Sequence, residues 1–588
     1  MTWNCTAQPF TGFLLELGNG FCFEARQKRI SIDNEHDRID LVFYPAFPNN
    51  YTYVRSCSMS IVHLKNKKNG VTYVYESTSY WDKEKYQARN SRICIGKLDP
   101  ESGEIIYNRR FKERQCDSVK PGPVAVTTHQ RRFYGATYLF DKIGEILGIR
   151  DDLKRCFPDT YKQILSIAYY LILEDRNPLS RFAHWERTHE HPYAKEIASQ
   201  RSSELFGSVT EDAKQRFFAL QSARRLEEEY LAYDTTSISS YSQTMKQVRY
   251  GVNKDHDPLA QINLALLLGQ TSRLPVSYRK LPGNISDVKT ITKLLSDLEF
   301  LNIKKVKLVL DRGFYSEANI NAMYQHHYKF LLGAKISLKF IKHHLDDVRD
   351  TMVTHANYSA RHALYMQSFS TDWDYSEVRP RSGEVIKGKR RIYLHLYYND
   401  QRATDEKLRF NKTLDQLEEE LRSNKRVTKH EKLYQRYFEI HETPVRGVQL
   451  SVKEEAVKEK EKNFGYFALI SNGIKDPLEA IDVYRSKDLI EKAYDDLKNR
   501  LNFRRTSVSS EERLEGKLFV QFIALIYLSY IKQQMDTQGL FKRFTLQGVL
   551  DEFDVIERFR QPNKKPIIGE VTKKQQELYE LLGVDTVS

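Results

Sequence analysis

The sequence predicts an α/β chain whose central sheet is interrupted by a β-rich insertion and preceded by β-rich and helical regions. Three observations carry this expectation. From Leu231 two strand-like runs, "LAYDTTSIS" and "QINLALLLG", are followed after a turn by a third, "RLPVSYRKL". A helical pattern from Asp287 to Phe300 then leads to "VKLVLDRGFYS", an almost wholly apolar strand of the kind buried in parallel sheets, which ends on Asp311. Residues 340–460 lose this regularity, mixing strand-like pieces with the charged helical run "LDQLEEELRSNKRVTKHEKLYQRYFEI", before "NFGYFALISN" resumes a core strand.

Taken from the N-terminus, residues 1–58 differ from the rest. They hold three of the six cysteines, and five Lys and Arg against six Asp and Glu. At Met59 "MSIVHLKNKKNGVTY" has the basic alternation of a natural N-terminus, so translation is expected to begin there and 1–58 to be a non-native extension. The alternative is a small acidic module. Residues 59–125 read as a basic β-rich region, with alternation over 71–111 and a turn at "DPESGE". There Lys83, Lys85, Arg89, Arg92, Arg109 and Arg110 interleave with Tyr80, Trp81 and Tyr86, as a DNA-gripping face or a solvated one.

Residues 126–230 read as helical. Leu139, Ile143, Ile146 and Leu147 share one helix face with Gly148 as a stop, and "DTYKQILSIAYYLILE" follows with Asp159 or Thr160 as its cap. Short helices packed this way read DNA or simply build a helical domain. The histidines of "HWERTHEH" (His184, His189, His191) lack nearby Cys and regular spacing, which argues against a zinc site.

Residues 231–339 and 461–505 then form two parts of one core around the insertion 340–460. Three adjacent strands, a crossover helix and a buried parallel-type strand resemble the ribonuclease H order. A further helix from Ser316, the strand "KFLLGAKI" and a helix opened by Asp476 and Pro477 complete it. Residues 506–588 read as a helical C-terminal region. Its apolar run "LFVQFIALIYLSYI" is about fourteen residues, short of the ~20 that span a bilayer, so a buried helix and no membrane partner are expected.

Composition narrows the function classes. With 92 Lys and Arg against 78 Asp and Glu the chain carries +14, which points to a polyanion, nucleic acid first, unless it is merely a soluble basic protein. The six scattered cysteines form no C-x-x-C pair, so neither a disulfide framework nor a zinc ribbon is indicated, and a reducing cytosol fits. No basic segment followed by an apolar run opens the chain as a signal peptide would.

Two carboxylates stand out. Asp234 lies in a strand core, where an uncompensated charge costs several kcal/mol. Asp311 ends a buried strand before Gly313, and ligands sit at the carboxyl ends of strands in α/β sheets. Each alone could be a structural cap. Together they are better explained by a divalent cation that reverses their repulsion. A third, Glu491, falls in "YRSKDLIEKAYDDLKNRL" from Tyr484. Wound as one helix, Leu489, Ile490, Ala493, Leu497 and Leu501 make an apolar face, and Lys487, Glu491 and Lys498 share the neighbouring edge. Ordinary charge decoration would give the same spacing.

That segment is similar to the Y-x2-R-x3-E-x6-K signature of bacterial insertion-sequence transposases of the DDE type, through Tyr484, Lys487 in the Arg place, Glu491 and Lys498. "YDTTSIS" resembles the family's first-Asp block at Asp234, and "DRGF" (Asp311, Arg312, Gly313, Phe314) its second. The resemblance spans about 233–503. It implies a ribonuclease H-like catalytic core that holds two Mg2+ ions, or Mn2+ in their place, on Asp234, Asp311 and Glu491. Tyr484, Lys487, Lys498 and Arg312 would contact DNA, and Trp373 in "TDWDY" would stack on a flipped base. It further implies double-stranded DNA as partner, both element terminal inverted repeats and target, a homodimer in the synaptic complex, and a cytoplasmic, nucleoid-associated location. A metal-dependent nuclease of the same fold, or a non-catalytic DNA-binding derivative, are the alternatives. Lys487 for Arg loses the planar fork that grips phosphate bidentately, though not the charge.

Overall fold

The computed structural model describes residues 21–32, 35–45, 59–82, 87–100, 102–109, 111, 130–225, 229–303, 305–379, 383–443, 447–561 and 564–588. The chain divides into two compact units, 1–126 and 127–588.

In the first unit β1 (Phe21–Ile32) pairs antiparallel with β2 (Glu35–Pro45). Strands β3 (Met59–Lys65), β4 (Thr72–Asp82), β5 (Gln87–Leu98) and β6 (Ile105–Tyr107) form an antiparallel sheet in that order. The "DPESGE" turn joins the last two, with the Gly103 N–H donating to Asp99 O at 3.0 Å. Of the supposed extension 1–58 only β1 and β2 lie within the described residues. Lys83, Lys85, Tyr86 and Arg110 lie outside them.

The second unit opens with β7 (Gln130–Phe133) and the helices α1 (Gly135–Ile146), α2 (Ile149–Cys156), α3 (Tyr161–Leu173), α4 (Phe182–Thr188), α5 (Ser199–Ser208) and α6 (Glu211–Arg225). Thr160 precedes α3, but its side chain makes no capping bond. Two of the three histidines of "HWERTHEH" are used structurally: His189 stacks on Trp185 and meets Asp554 Oδ2 at 3.1 Å, while His191 meets Ser166 Oγ at 3.0 Å; His184 is exposed.

A nine-stranded mixed sheet follows. Its members are β8 (Tyr230–Ser239), β9 (Gln261–Gly269), β10 (Pro275–Pro282), β11 (Lys307–Leu310), β12 (Lys329–Ala334), β13 (Tyr358–Ser359), β14 (Leu364–Val378), β15 (Val385–Tyr398) and, beyond the hairpin β16 (Phe438–Thr443) and β17 (Gly447–Val452), β18 (Tyr466–Ser471). The order is β10-β9-β8-β11-β12-β18-β15-β14-β13. Strands β8 and β10 each run antiparallel to β9 between them, and β11 runs parallel to both β8 and β12, an arrangement of the ribonuclease H type. Strand β9 is buried along its whole length, which explains why "QINLALLLG" carries apolar residues at both parities.

Connecting these strands are α7 (Asp287–Phe300), α8 (Glu317–Gln325), α9 (Lys339–Met352), α10 (Asp400–Arg422), α11 (Glu431–Tyr437) and α12 (Glu454–Glu461). Two sequence expectations need correction here. The segment 340–460 is not wholly separate, because β14 and β15 extend the central sheet and β15 pairs directly with β18. The charged run from Leu414 is not one helix either: α10 and α11 fold back to bury Leu417, Leu421, Tyr434 and Tyr437, and Phe438 already starts β16.

After β18 come α13 (Pro477–Arg485), α14 (Asp488–Asp495), α15 (Glu511–Thr537), α16 (Leu546–Asp554), the short strand β19 (Glu557–Arg560), which pairs with both β7 and the short strand β20 (Ile567–Ile568), and α17 (Lys573–Leu581). Helix α15 is long and apolar enough to cross a membrane, yet 89% of its most apolar window is buried inside the protein. It packs against the N-terminal helices, with Phe519 touching the rings of Phe157 and Phe217. A Cβ on Gly516 would lie 2.0 Å from Phe206 O, so α15 and α5 approach more closely than any larger residue permits.

Candidate active site

Strand register sets the first two carboxylates side by side. In the parallel β8–β11 ladder Tyr233 is opposite Leu310, so the next residues along, Asp234 and Asp311, are neighbours at the carboxyl end of the pair. Asp234 is largely buried, and burial raises its carboxyl above the usual range against the pull of Lys254. Asp311 accepts hydrogen bonds from Tyr484 Oη and from the Arg312 N–H, both at 2.8 Å. Burial would raise its carboxyl too, but Lys487, Tyr484 and the Arg312 N–H together hold it below the usual value. One pair of aspartates thus has its proton affinities pushed apart by environment.

Glu491 comes from a different element. The run from Tyr484 to Leu501, expected as one helix, is α13, α14 and a π-turn over Asp496–Arg500. The break has an identifiable cause: Val483 O accepts from Ser486 Oγ at 2.7 Å and from Gln270 Nε2 at 3.0 Å, and the Lys487 N–H bonds to Tyr484 O instead. Lys487 therefore sits at the N-cap of α14, one turn before Glu491. One turn after Glu491, the Tyr494 hydroxyl donates to Asp234 O at 2.6 Å and Leu264 O at 3.2 Å, which fastens α14 to the sheet beside Asp234.

Two lysines neutralise the cluster. Lys487 Nζ lies 3.4 Å from Asp311 Oδ2 and 3.7 Å from Glu491 Oε1, with its side chain 11% exposed. Lys254 Nζ lies 3.5 Å from Asp234 Oδ1 and 3.4 Å from Asp287 Oδ2, and also donates to Thr235 O at 2.6 Å. Lys254, Asp287 and Tyr494 were not singled out by sequence. Asp287 reads there as an ordinary first-turn helix acid, and Lys254 as one more loop cation. The donors suit a hard divalent ion, since all are carboxylate oxygens, and positive charge is already held between Asp311 and Glu491. Among the described residues no three His, Cys, Asp or Glu are close enough together to ligate one ion, so a metal would have to draw the carboxylates in as it displaced an ammonium.

The remaining expected DNA contacts divide. Arg312 is exposed beside Asp311. Tyr484 is committed to Asp311, which with burial pushes its phenol well above the usual range. Glycine at 333 makes room for it: a Cβ there would lie 2.8 Å from Tyr484 Oη and 2.9 Å from the Arg312 nitrogen. Lys498 is buried and donates to Asp255 Oδ2 at 2.6 Å, so it is spoken for within the protein. Trp373 is 7% exposed on β14, packed edge-on against Phe340, with its indole N–H donated to Asn321 Oδ1 at 2.8 Å. Its alternation places it on the core side of the sheet, so it offers no face to a flipped base.

A cavity of about 1160 Å³ opens beside Asp311 and Tyr484. It is bounded by the end of β12, by β18 and by α10, α11 and α13.

Residues 226–527 match the profile of the transposase DDE domain, and residues 7–95 that of the YhcG PDDEXK nuclease domain. A solved structure described as a cryo-EM structure of piggyBac transposase synaptic complex with hairpin DNA (SNHP) is similar at 9% identity, covering 70% of each chain, with a TM-score of 0.32. No curated protein matches.

Proposed function

The chain belongs to the transposase DDE domain family, and on that premise we propose that this DNA-cleaving, transposing enzyme is of the bacterial insertion-sequence kind. It binds the terminal inverted repeats of its element as a homodimer, cleaves them and joins them to target DNA, acting at the nucleoid in the cytoplasm. Asp234, Asp311 and Glu491 are its catalytic carboxylates. The observation that supports this most is the single ammonium of Lys487 within ion-pair distance of both Asp311 and Glu491, carboxylates far apart in sequence and on different elements.

Asp234, Asp311 and Glu491 would hold two Mg2+ ions, or Mn2+ in their place, which when bound polarise the scissile phosphate and the attacking oxygen. The protein's own part is positional. Tyr484 fixes one oxygen of Asp311, and Tyr494 holds the Glu491 helix against the Asp234 strand. Arg312 and Lys487 supply charge to the phosphate while a water or a DNA 3′-hydroxyl forms the new P–O bond and the original 3′-oxygen departs. Lys498, bound to Asp255, shapes the end of α14 rather than gripping the strand.

The test is cleavage and joining of element ends in Mg2+ by Asp234→Asn, Asp311→Asn and Glu491→Gln. Each should abolish cleavage and leave end binding largely intact, and retained cleavage in one would remove that residue from the site. The nuclease match over 7–95 favours a second reading, cleavage without joining, and a strand-transfer assay separates the two. That match also runs across Met59, which supports a genuine N-terminal module over a non-native extension. Deleting 1–58 decides between them.

A further inference from the structure

We propose that the cavity beside Asp311 is a channel for a short single strand of DNA. This rests on the transposase reading and adds which form of DNA lies there. Of the cations in its wall, Lys342 is paired with Glu459, Arg402 with Glu406, and Arg485 donates to His362. Arg312, Lys335, Arg409, Arg436 and Lys460 also line it, all exposed and none in an ion pair among the described residues. The only carboxylates in the wall are Asp311, Glu406 and Glu459, and all three are already engaged. Five like charges around one open-mouthed cavity repel one another, and a polyanion relieves that repulsion.

The wall also carries the half-buried rings of Phe410 and Phe464, while Tyr466 is buried and Phe467 is already stacked on Tyr397. Cations that track a backbone, interleaved with aromatic rings that stack on bases, are how proteins hold single strands without reading their sequence. Size points the same way. Pockets for one drug-sized molecule run to roughly 300–1,000 Å³, and a nucleotide is such a molecule. The cavity at about 1160 Å³ then takes about one to four nucleotides, less than a stretch of duplex occupies. Asp311 and Tyr484 are part of its wall, so a strand lying in the cavity passes beside Asp311.

The experiment measures binding by full-length Glu491→Gln protein, which keeps cleavage out of the readout. The probes are a labelled four-nucleotide oligothymidine, thymidine monophosphate, inorganic phosphate and a blunt duplex, each titrated across salt. Lys335→Ala, Arg409→Ala and Lys460→Ala are then combined in that background, with Arg409→Glu alone as a second variant. The combined variant should bind the tetranucleotide about tenfold more weakly and lower its salt slope by about 2, at ~0.7 per lost phosphate contact on a single strand. Duplex affinity should change by less than about threefold. Tetranucleotide binding no tighter than that of the monophosphate or of phosphate overturns the channel, as does equal loss on single strand and duplex. Failure here leaves end cleavage by the unaltered chain untouched, whereas absence of that cleavage sinks the transposase reading alone.

Discussion

Tyr484→Phe removes one oxygen and separates two roles for this residue. The hydroxyl donates to Asp311 Oδ1 at 2.8 Å, one of three donors on that carboxylate along with the Arg312 N–H and the Lys487 ammonium. A hydrogen bond to an ionised group contributes about 1.5–3 kcal/mol. Asp311 is 41% exposed, so water replaces part of what is lost and the lower end applies, about 1.5–2 kcal/mol, or roughly 10–30-fold in kcat/KM. The ring stays in place, so the folded state loses less than about 1 kcal/mol. Gly333→Ala should produce a similar loss by another route, since the added methyl displaces the same hydroxyl, and the two changes together should be less than additive. The assay is single-turnover cleavage of element ends with end affinity measured in parallel. An unchanged rate in both variants would refute the positioning role. A drop in affinity with the saturated rate preserved would instead return Tyr484 to a direct contact with DNA.

Lys487→Arg should keep cleavage, because a guanidinium can fork across both carboxylates, while Lys487→Ala should lower it by about 1–3 kcal/mol of transition-state stabilisation in the same assay; equal rates would make this lysine mere decoration. Trp373→Ala should destabilise the protein by about 3–5 kcal/mol in urea unfolding, and Trp373→Phe far less; full stability with impaired DNA binding would mean the ring is not a core element. His395 is buried between Ser368 Oγ and Ile474 O, and burial lowers its ring from 6.5 to about 4, as burial also does for His191. The folded state therefore binds fewer protons than the unfolded one, so this contribution is full above about pH 6.5 and is lost as pH falls from there to about 4. Replacing His395 with Asn should flatten the dependence of the urea midpoint on pH across that window, and an unaltered slope would show that the ring is not titrating there.

What the sequence could reveal was whatever leaves a local trace. The strands β8 to β12 are legible because alternation and apolar runs record burial directly, and Ser316 and Asp476 announce the starts of α8 and α13 by their caps, which the structure contains. The order of carboxylates along the chain is legible for the same reason. Contacts made across distance are not. The break before α14 depends on Gln270, a residue of the loop after β9, taking the Val483 carbonyl. The place of β14 in the central sheet depends on β18, laid down much later in the chain. "TDWDY" gives no sign of which face of a strand Trp373 occupies until that pairing exists. Lys254 and Asp287 meet only because the loop after β8 folds over the start of α7.

Strand β18 carries a consequence for synthesis. It lies between β12 and β15, so the chain leaves the sheet after Ala334 and re-enters beside the same strand only at Tyr466. Until then the outer edge of β12, buried and apolar in the finished fold, has no partner on the growing chain, and such an edge is a template for pairing with other chains. At ~5–20 residues per second the ribosome takes about 7–27 s to travel from Ala334 to Ser471, the end of β18. During that interval the edge is open and Glu491 has not yet been made, so a chain cut short before β18 keeps a strand edge free to pair with other chains.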